Sequence, residues 1–348
     1  MKMYIFFLFI VYSLKIYSQD NVLYNTWDTL YTIPNYNFNR NIKDLKINNN
    51  NMTIVGYDGL IANSNDYGKT WNEMYVGTNA ELNKIFYTNN TNFWISGNKG
   101  TLIKYNLETK KYQDYSINSD FQINSIYFSD ENNGLLASTY GFMNHKDGYL
   151  LKTTDGGIKW DTVLKKINFE PKEDTYNNVK INVTNFSFSN IIMKNNLEGY
   201  VLGCSYTLDK SFIYETKDGG NKWKLIITLP DELVYGMSII DNEIWLVGKD
   251  GLMCKSSDEG KSWKWYNKNK NETIFKIKKQ DNIYIISTCL DKDYNVYTTK
   301  DISKAWHLEI TSKRNFNSFN PIIIENRLYL SSENSIINKK INEMNYMK

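Results

Sequence analysis

The chain has 348 residues, 41 Lys+Arg against 38 Asp+Glu, and a formal charge of +3. That balance gives no electrostatic case for nucleic acid, which needs Lys and Arg clustered on one face. Three cysteines, Cys204, Cys254 and Cys289, are too few and odd in number for a disulfide framework.

Residues 1–18 read as a secretory signal peptide: Met1-Lys2-Met3, an apolar run from Tyr4 to Leu14, and a cut between Ser18 and Gln19. The run is too short for a stable membrane span. Lys15 and Ile16 depart from the ideal pattern, so a membrane-anchored N-terminus is the competing reading. Loss of Lys2 and Lys15 leaves the mature chain at +1. No other apolar stretch approaches a spanning length, and residues 19–348 are expected to form one soluble, monomeric domain.

The dominant feature is one phrase repeated along the chain. Ser64-Asn65-Asp66-Tyr67-Gly68-Lys69-Thr70-Trp71 returns as Thr153-Thr154-Asp155-Gly156-Gly157-Ile158-Lys159-Trp160. It returns again as Thr216-Lys217-Asp218-Gly219-Gly220-Asn221-Lys222-Trp223 and Ser256-Ser257-Asp258-Glu259-Gly260-Lys261-Ser262-Trp263. A worn copy, Thr299-Lys300-Asp301-Ile302-Ser303-Lys304-Ala305-Trp306, lacks the glycine. A period of roughly 40–50 residues signals a stacked or radial architecture.

The pattern S/T-x-D-x-G-x-x-W predicts a tight β-hairpin. The carboxylate can accept backbone N–H groups of its own turn, and the hydroxyl can add another bond. Glycine supplies positive φ without a steric penalty. Trp then opens the next strand and wedges its ring between sheets. The recurring Asp reads as structural, because a catalytic residue is not needed once per repeat.

Each copy follows a β-prone run and a glycine-centred turn, as at Gly56-Tyr57-Asp58-Gly59, Gly97-Asn98-Lys99-Gly100 and Gly248-Lys249-Asp250-Gly251. Markers at the ends of second strands fall at Gly56, Gly97, Ser138, Gly203, Gly248, Thr288 and Ser332, which counts seven units. Six continue into a fourth strand opened by an aromatic: Trp71, Tyr112, Trp160, Trp223, Trp263 and Trp306. The seventh runs out of chain after Ile341. The missing strand stands at the other end, where Thr26-Trp27-Asp28-Thr29-Leu30 reads like Lys159-Trp160-Asp161-Thr162-Val163. The expectation is an all-β, seven-bladed propeller of four-stranded blades, closed by the N-terminal strand, which leaves no free sheet edge.

The repeated motif resembles the Asp-box (BNR) repeat of sialidase-like propellers and of the photosystem II assembly and stability factor propellers. Asn133-Gly134-Leu135-Leu136-Ala137-Ser138 and Glu198-Gly199-Tyr200-Val201-Leu202-Gly203 are similar to phrases of the second family. The resemblance implies a propeller whose Asp-boxes lie away from its functional face, and a binding or assembly-assisting role.

A sialidase-like hydrolase is the alternative function. That family needs three arginines gripping a carboxylate, a Tyr/Glu nucleophilic pair and an acidic acid/base residue, usually after an F/Y-R-I-P motif. Tyr31-Thr32-Ile33-Pro34 has the frame but carries Thr at the arginine position, and the chain has only Arg40, Arg314 and Arg327. In a propeller, interblade links and second-to-third-strand loops share one face. Arg327 is expected on the other, so the three should not converge. No G-x-S-x-G, P-loop, G-x-G-x-x-G or HExxH pattern is present. No catalytic residue, metal site or cofactor is assigned. His145 and His307 are the only histidines, His145 reads as a surface-loop residue, and the cysteines read as buried thiols with one bridge left open.

Binding is expected where the repeat breaks. Thr139-Tyr140-Gly141-Phe142-Met143-Asn144-His145-Lys146-Asp147-Gly148 replaces a two-residue turn in blade 3. Lys165 to Lys180, with Glu170, Glu173, Asp174 and Tyr176, lengthens the link to blade 4. Ser205 to Ser211, with Tyr206, extends blade 4. All three should lie on the face opposite the Asp-boxes. Tyr140, Phe142, His145, Lys146, Glu170, Glu173, Asp174, Tyr176 and Tyr206 are therefore the candidate contacts for a protein or surface-glycan partner.

Overall fold

Four antiparallel strands make each blade, consecutive in the chain in blades 1 to 6, and seven blades close into a ring. The computed structural model describes residues 27–33, 41–141, 145–166, 172–176, 179–206, 208–229, 232–266, 271–312, 321–324, 327–331 and 335–340. Blade 1 runs outward from the axis as Ile42–Asn48, Asn51–Gly56, Ile61–Ser64 and Asn72–Glu73. The inner strands of blades 2 to 6 are Leu82–Tyr87, Phe121–Phe128, Val179–Met193, Val234–Ile240 and Thr273–Gln280. Second strands are buried nearly end to end, as Met52 to Gly56 shows, because each blade has a neighbour on both faces. That burial explains their continuous apolar runs.

Blade 7 contains Ile322–Ile324, Arg327–Ser331 and Ser335–Lys340, and its outer strand is the N-terminal Asp28–Thr32. Asp28 pairs with Asn338 and Thr32 with Ser335. The expected closure is present. Six of the seven strand markers lie in or at the end of second strands, and Ser332 falls outside the described residues. Each Asp-box Trp sits one residue before the fourth strand rather than within it.

The apolar core is divided among the interfaces. Seven clusters occur among the described residues, each spanning two consecutive blades. In the cluster between blades 2 and 3, the buried Trp94 stacks on Phe128 at 4.6 Å. The Asp-box glycines join the same interfaces. A Cβ on Gly68, Gly157, Gly220 or Gly260 would meet Leu30, Trp94, Leu135 or Ile226 of the preceding blade at 2.5–3.1 Å.

The inner strands of blades 1 to 6 share a β-bulge at the same place, as between Ile42 and Asp44 or Ile274 and Lys276. A bulge sharpens local twist and re-aims the following side chains. Here it sets which residues face the axis.

Candidate functional site

The Asp-box turns are structural units. In the first four copies, the Ser/Thr hydroxyl donates to the Asp carboxylate at 2.7–3.0 Å and accepts the glycine N–H at 2.8–2.9 Å. The carboxylate accepts the backbone N–H four residues on at 2.8–2.9 Å. The Trp indole donates to the glycine carbonyl at 3.0–3.1 Å. Side-chain bonds from Thr70 and Ser262, with their amides, hold Asp66 and Asp258 at about 2. Asp155 is lowered by the Lys159 amide and the Thr153 hydroxyl. Asp218 is lowered by the Lys222 amide and the Thr216 hydroxyl against a desolvation penalty. These carboxylates accept bonds that lock a turn, which is the role expected of them.

The fifth copy differs. Without glycine, no residue of its turn has positive φ, and Thr299 Oγ1 donates to the Asp301 and Ala305 carbonyls. The Asp301 carboxylate accepts the Ser303 amide at 2.9 Å. Trp306 still packs against its interface cluster. Blade 2 lacks the motif, and Asn106 takes the acceptor role by receiving the Thr109 amide at 2.8 Å.

The breaks in the repeat form a β extension. Second and third strands of blade 3, Gly134–Tyr140 and His145–Thr153, stay paired through Thr139↔Gly148 and Tyr140↔Asp147. The expected loop is thus paired as far as Tyr140 and Asp147, and its residues 142–144 lie outside the described residues. The link to blade 4 contains a hairpin in which Lys172–Tyr176 pairs with the start of Val179–Met193. His145 and Lys146 then pair in parallel with Thr184 and Asn185, so blades 3 and 4 share one nine-stranded sheet.

Side chains reinforce that join. The Thr139 and Ser187 hydroxyls bond at 2.7 Å, and Asn124 donates to Thr139 Oγ1 and to the Phe188 carbonyl at 3.0 and 2.9 Å. A Cβ at Gly148 would strike Phe186 at 2.5 Å, so only glycine lets the hairpin lie this close to blade 4.

Of the candidate contacts, Tyr140 and Lys146 are half-buried on the blade 3 hairpin. The Tyr140 ring packs against Phe121 at 4.9 Å and Tyr149 at 5.6 Å, and its hydroxyl donates to Asp120 at 3.3 Å. His145 opens the third strand of blade 3, and Glu173, Asp174 and Tyr176 lie along the linking hairpin. Tyr206 follows Ser205, which pairs with Lys210, and is 47% exposed. Phe142 and Glu170 lie outside the described residues. The register brings the blade 3 hairpin and the linking hairpin together.

A second feature escaped the sequence reading. The central channel holds a cavity of about 510 Å³. After each bulge the inner strand presents alternate residues to it: Asp44, Lys84, Ser125, Asn190, Gly236 and Lys276 in one tier. Lys46, Phe86, Tyr127, Ile192, Ser238 and Lys278 form the next. Leu45, Ile85, Ile126, Ile191, Met237 and Ile277, between the tiers, turn into the buried core.

Several lining groups stitch one blade to the next. The Asp44 carboxylate accepts the Ile85 amide at 3.1 Å, and the Ser125 hydroxyl accepts the Ile191 amide at 3.2 Å. Asn190 donates to the Met237 carbonyl at 3.1 Å, Ser238 to Ile277 at 2.6 Å and Lys278 to Pro321 at 3.3 Å. Burial, with Lys46 and Lys84 nearby, pushes Lys278 down to about 7 despite the opposing Asp44. Burial, then Lys84 and Lys278, also pushes Lys276 well below its ordinary value, again against Asp44. Burial opposes ionisation of Asp44, but Lys84, Lys46, Lys276 and the Ile85 amide together hold it low. The local signal is a charged residue followed by a core aliphatic after each of these bulges, visible once Asp44-Leu45-Lys46, Lys84-Ile85-Phe86 and Lys276-Ile277-Lys278 are aligned.

Arg327 lies away from this channel. It donates to Asn338 and, at 2.6 Å, to Asp28, which ties the N-terminal strand into blade 7. Arg40 and Arg314 fall outside the described residues. The three cysteines are free, with Cys204 and Cys254 buried. Among the described residues, no cluster of three His, Cys, Asp or Glu has metal-holding geometry, and no helix is long and apolar enough to cross a membrane.

The family model for the photosynthesis system II assembly factor YCF48 matches residues 168–315. No curated protein sequence matches the chain. Among solved structures, YCF48 bound to a D1 peptide superposes with a TM-score of 0.65 at 13% identity, covering 92% of this chain and 96% of that one. YCF48 from Cyanidioschyzon merolae gives 0.64 at 13%, covering 90% and 98%. The extracellular domain of BT4673 from B. thetaiotaomicron gives 0.64 at 13%, covering 92% of this chain but 41% of that one. Identities this low speak to the fold. With four intact Asp-box turns and a closed ring of seven blades, the chain is an Asp-box (BNR) repeat β-propeller similar to the photosystem II assembly factor propellers.

Proposed function

We propose that the chain is an exported, non-enzymatic scaffold that binds a protein partner through the joined hairpins of blades 3 and 4. The observation that carries this reading is the sheet shared by those blades, pinned through His145↔Thr184, Lys146↔Asn185 and the Thr139–Ser187 bond. Irregular additions on a rigid scaffold are where recognition concentrates, and ordering them in advance lowers the entropy lost on binding. A similar propeller, YCF48, is solved with a D1 peptide bound, which supports a polypeptide as the class of partner. Export rests on the residue 1–18 signal pattern. A non-catalytic role is supported by Arg327, which is engaged by Asn338 and Asp28 at the ring closure.

The test is affinity capture from an envelope extract, with the mature chain beside a variant whose segment 139–148 is shortened to Asn-Lys. A protein retained by the first and lost by the second supports the reading. Equal capture by both contradicts it. A surface glycan is the second reading, favoured by the half-buried Phe121–Tyr140–Tyr149 ring cluster, on which a sugar could stack. Loss of capture after periodate treatment of the extract would select the glycan.

A further inference from the structure

We propose that the central channel is a binding site for a small multivalent oxyanion, held by Lys46, Lys84, Lys276 and Lys278. The site is independent of the blade 3–4 hairpins. Four lysines line this cavity with Asp44 as their acidic counterpart. They come from blades 6, 1 and 2, which with blade 7 make one continuous arc of the ring, so positive charge gathers on one side of the channel. The opposite wall, from blades 3 to 5, supplies Ser125, Tyr127, Asn190 and Ser238.

Lining groups with a structural duty can be separated from the rest. Asp44, Ser125, Asn190, Ser238 and Lys278 hold neighbouring backbones. The side chains of Lys46, Lys84 and Lys276 make no hydrogen bond to another described residue, so blade stitching does not explain them. Cations gathered between low-dielectric walls repel one another and focus the field on the enclosed solvent. A compact oxyanion relieves that repulsion and accepts several charge-assisted hydrogen bonds at once. The depression of Lys276 and Lys278 by burial and by neighbouring lysines is the expected mark of an unrelieved cluster. A cavity of about 510 Å³ admits a pyrophosphate- or citrate-sized molecule.

The experiment is calorimetric titration of the full chain with sodium pyrophosphate and, separately, sodium citrate at pH 7 and constant chloride. We expect saturable one-to-one binding of at least one probe, and the tighter probe fixes the ligand class as phosphate or carboxylate. Affinity should fall at least about tenfold in Lys84→Met and in Lys276→Met, the loss associated with one charge-assisted hydrogen bond. Lys222→Met, on an Asp-box turn, should bind as the parent does. Thermal melts guard against misfolding, because removing one cation from a mutually repelling cluster should leave these variants at least as stable as the parent. Failure of both probes to saturate overturns the proposal, as does binding unchanged in the channel variants.

Discussion

Gly220 tests whether Asp-boxes act as spacers between blades as well as turns. Its φ is +84°, and an added Cβ would lie 2.5 Å from Leu135 Cδ2 and 2.9 Å from Cδ1, in the preceding blade. Gly220→Ala therefore carries two penalties. Left-handed backbone costs a non-glycine residue about 1–2 kcal/mol. Overpacking a buried leucine adds about 1–3 kcal/mol, and Leu135 is only 3% exposed, with little room to yield. The expected loss is about 3 kcal/mol, from the combined backbone and packing costs.

Gly219→Ala is the control. Its φ is +68°, but the nearest obstacle is the Asn196 carbonyl at 3.0 Å rather than an interface side chain. The equivalent positions of other copies hold Tyr67 and Glu259 at φ 59°, so this site accepts a side chain at a cost of about 1 kcal/mol. Urea unfolding midpoints, compared at equal slope, measure both variants. A Gly220→Ala loss no larger than that of Gly219→Ala would refute the spacer role.

Three further outcomes follow from the same contacts. The Asp258 carboxylate sits at about 2 when folded against an ordinary 3.8, so its contribution is complete above pH 4 and disappears as pH falls toward 2. Acid titration of Asp258→Asn should show a shallower decline across that window, and an unchanged profile would count against the capping role. Arg327→Ala should cost about 1 kcal/mol, since Asp28 is solvent-exposed and the pair is screened. It should speed proteolysis at the N-terminal strand, and unaltered cleavage would deny Arg327 a part in closure. Lys278 lies near 7 when folded against an ordinary 10.5, so the unfolded chain binds more protons between those values and stability rises with pH there. The groups around it are Asp44, Lys46, Lys84 and Lys276, with Tyr235 on the neighbouring blade 5 and Tyr127 on blade 3. Lys278→Met should flatten the rise, and a slope as steep as the parent's would mean that another group titrates.

Periodicity made the architecture legible because each blade repeats the same local problem. Ser64, Asp66, Gly68 and Trp71 bond within their own turn and pack on the adjoining blade, so their spacing alone predicts the turn. The N-terminal closure was legible for the same reason, since Trp27-Asp28 repeats the entry to a fourth strand. The site was less visible. Thr139 to Gly148 stands out in the sequence as a break, but His145↔Thr184 pairing joins segments of different blades, and no local pattern encodes it. The lysine channel was hidden for another reason. Lys46, Lys84 and Lys276 are far apart in sequence and converge only because six inner strands bulge at the same place and turn alternate residues inward.

Whether a partner meets the blade 3–4 hairpins, as proposed, rather than the Asp-box turns is read by site-specific photo-crosslinking. Benzoylphenylalanine would replace Tyr206, exposed beside the hairpins, or Lys261, exposed on an Asp-box turn. Irradiation of the envelope fraction should give a defined protein adduct from position 206 and none from 261. An adduct from 261 alone, or equally from both, would contradict the claim.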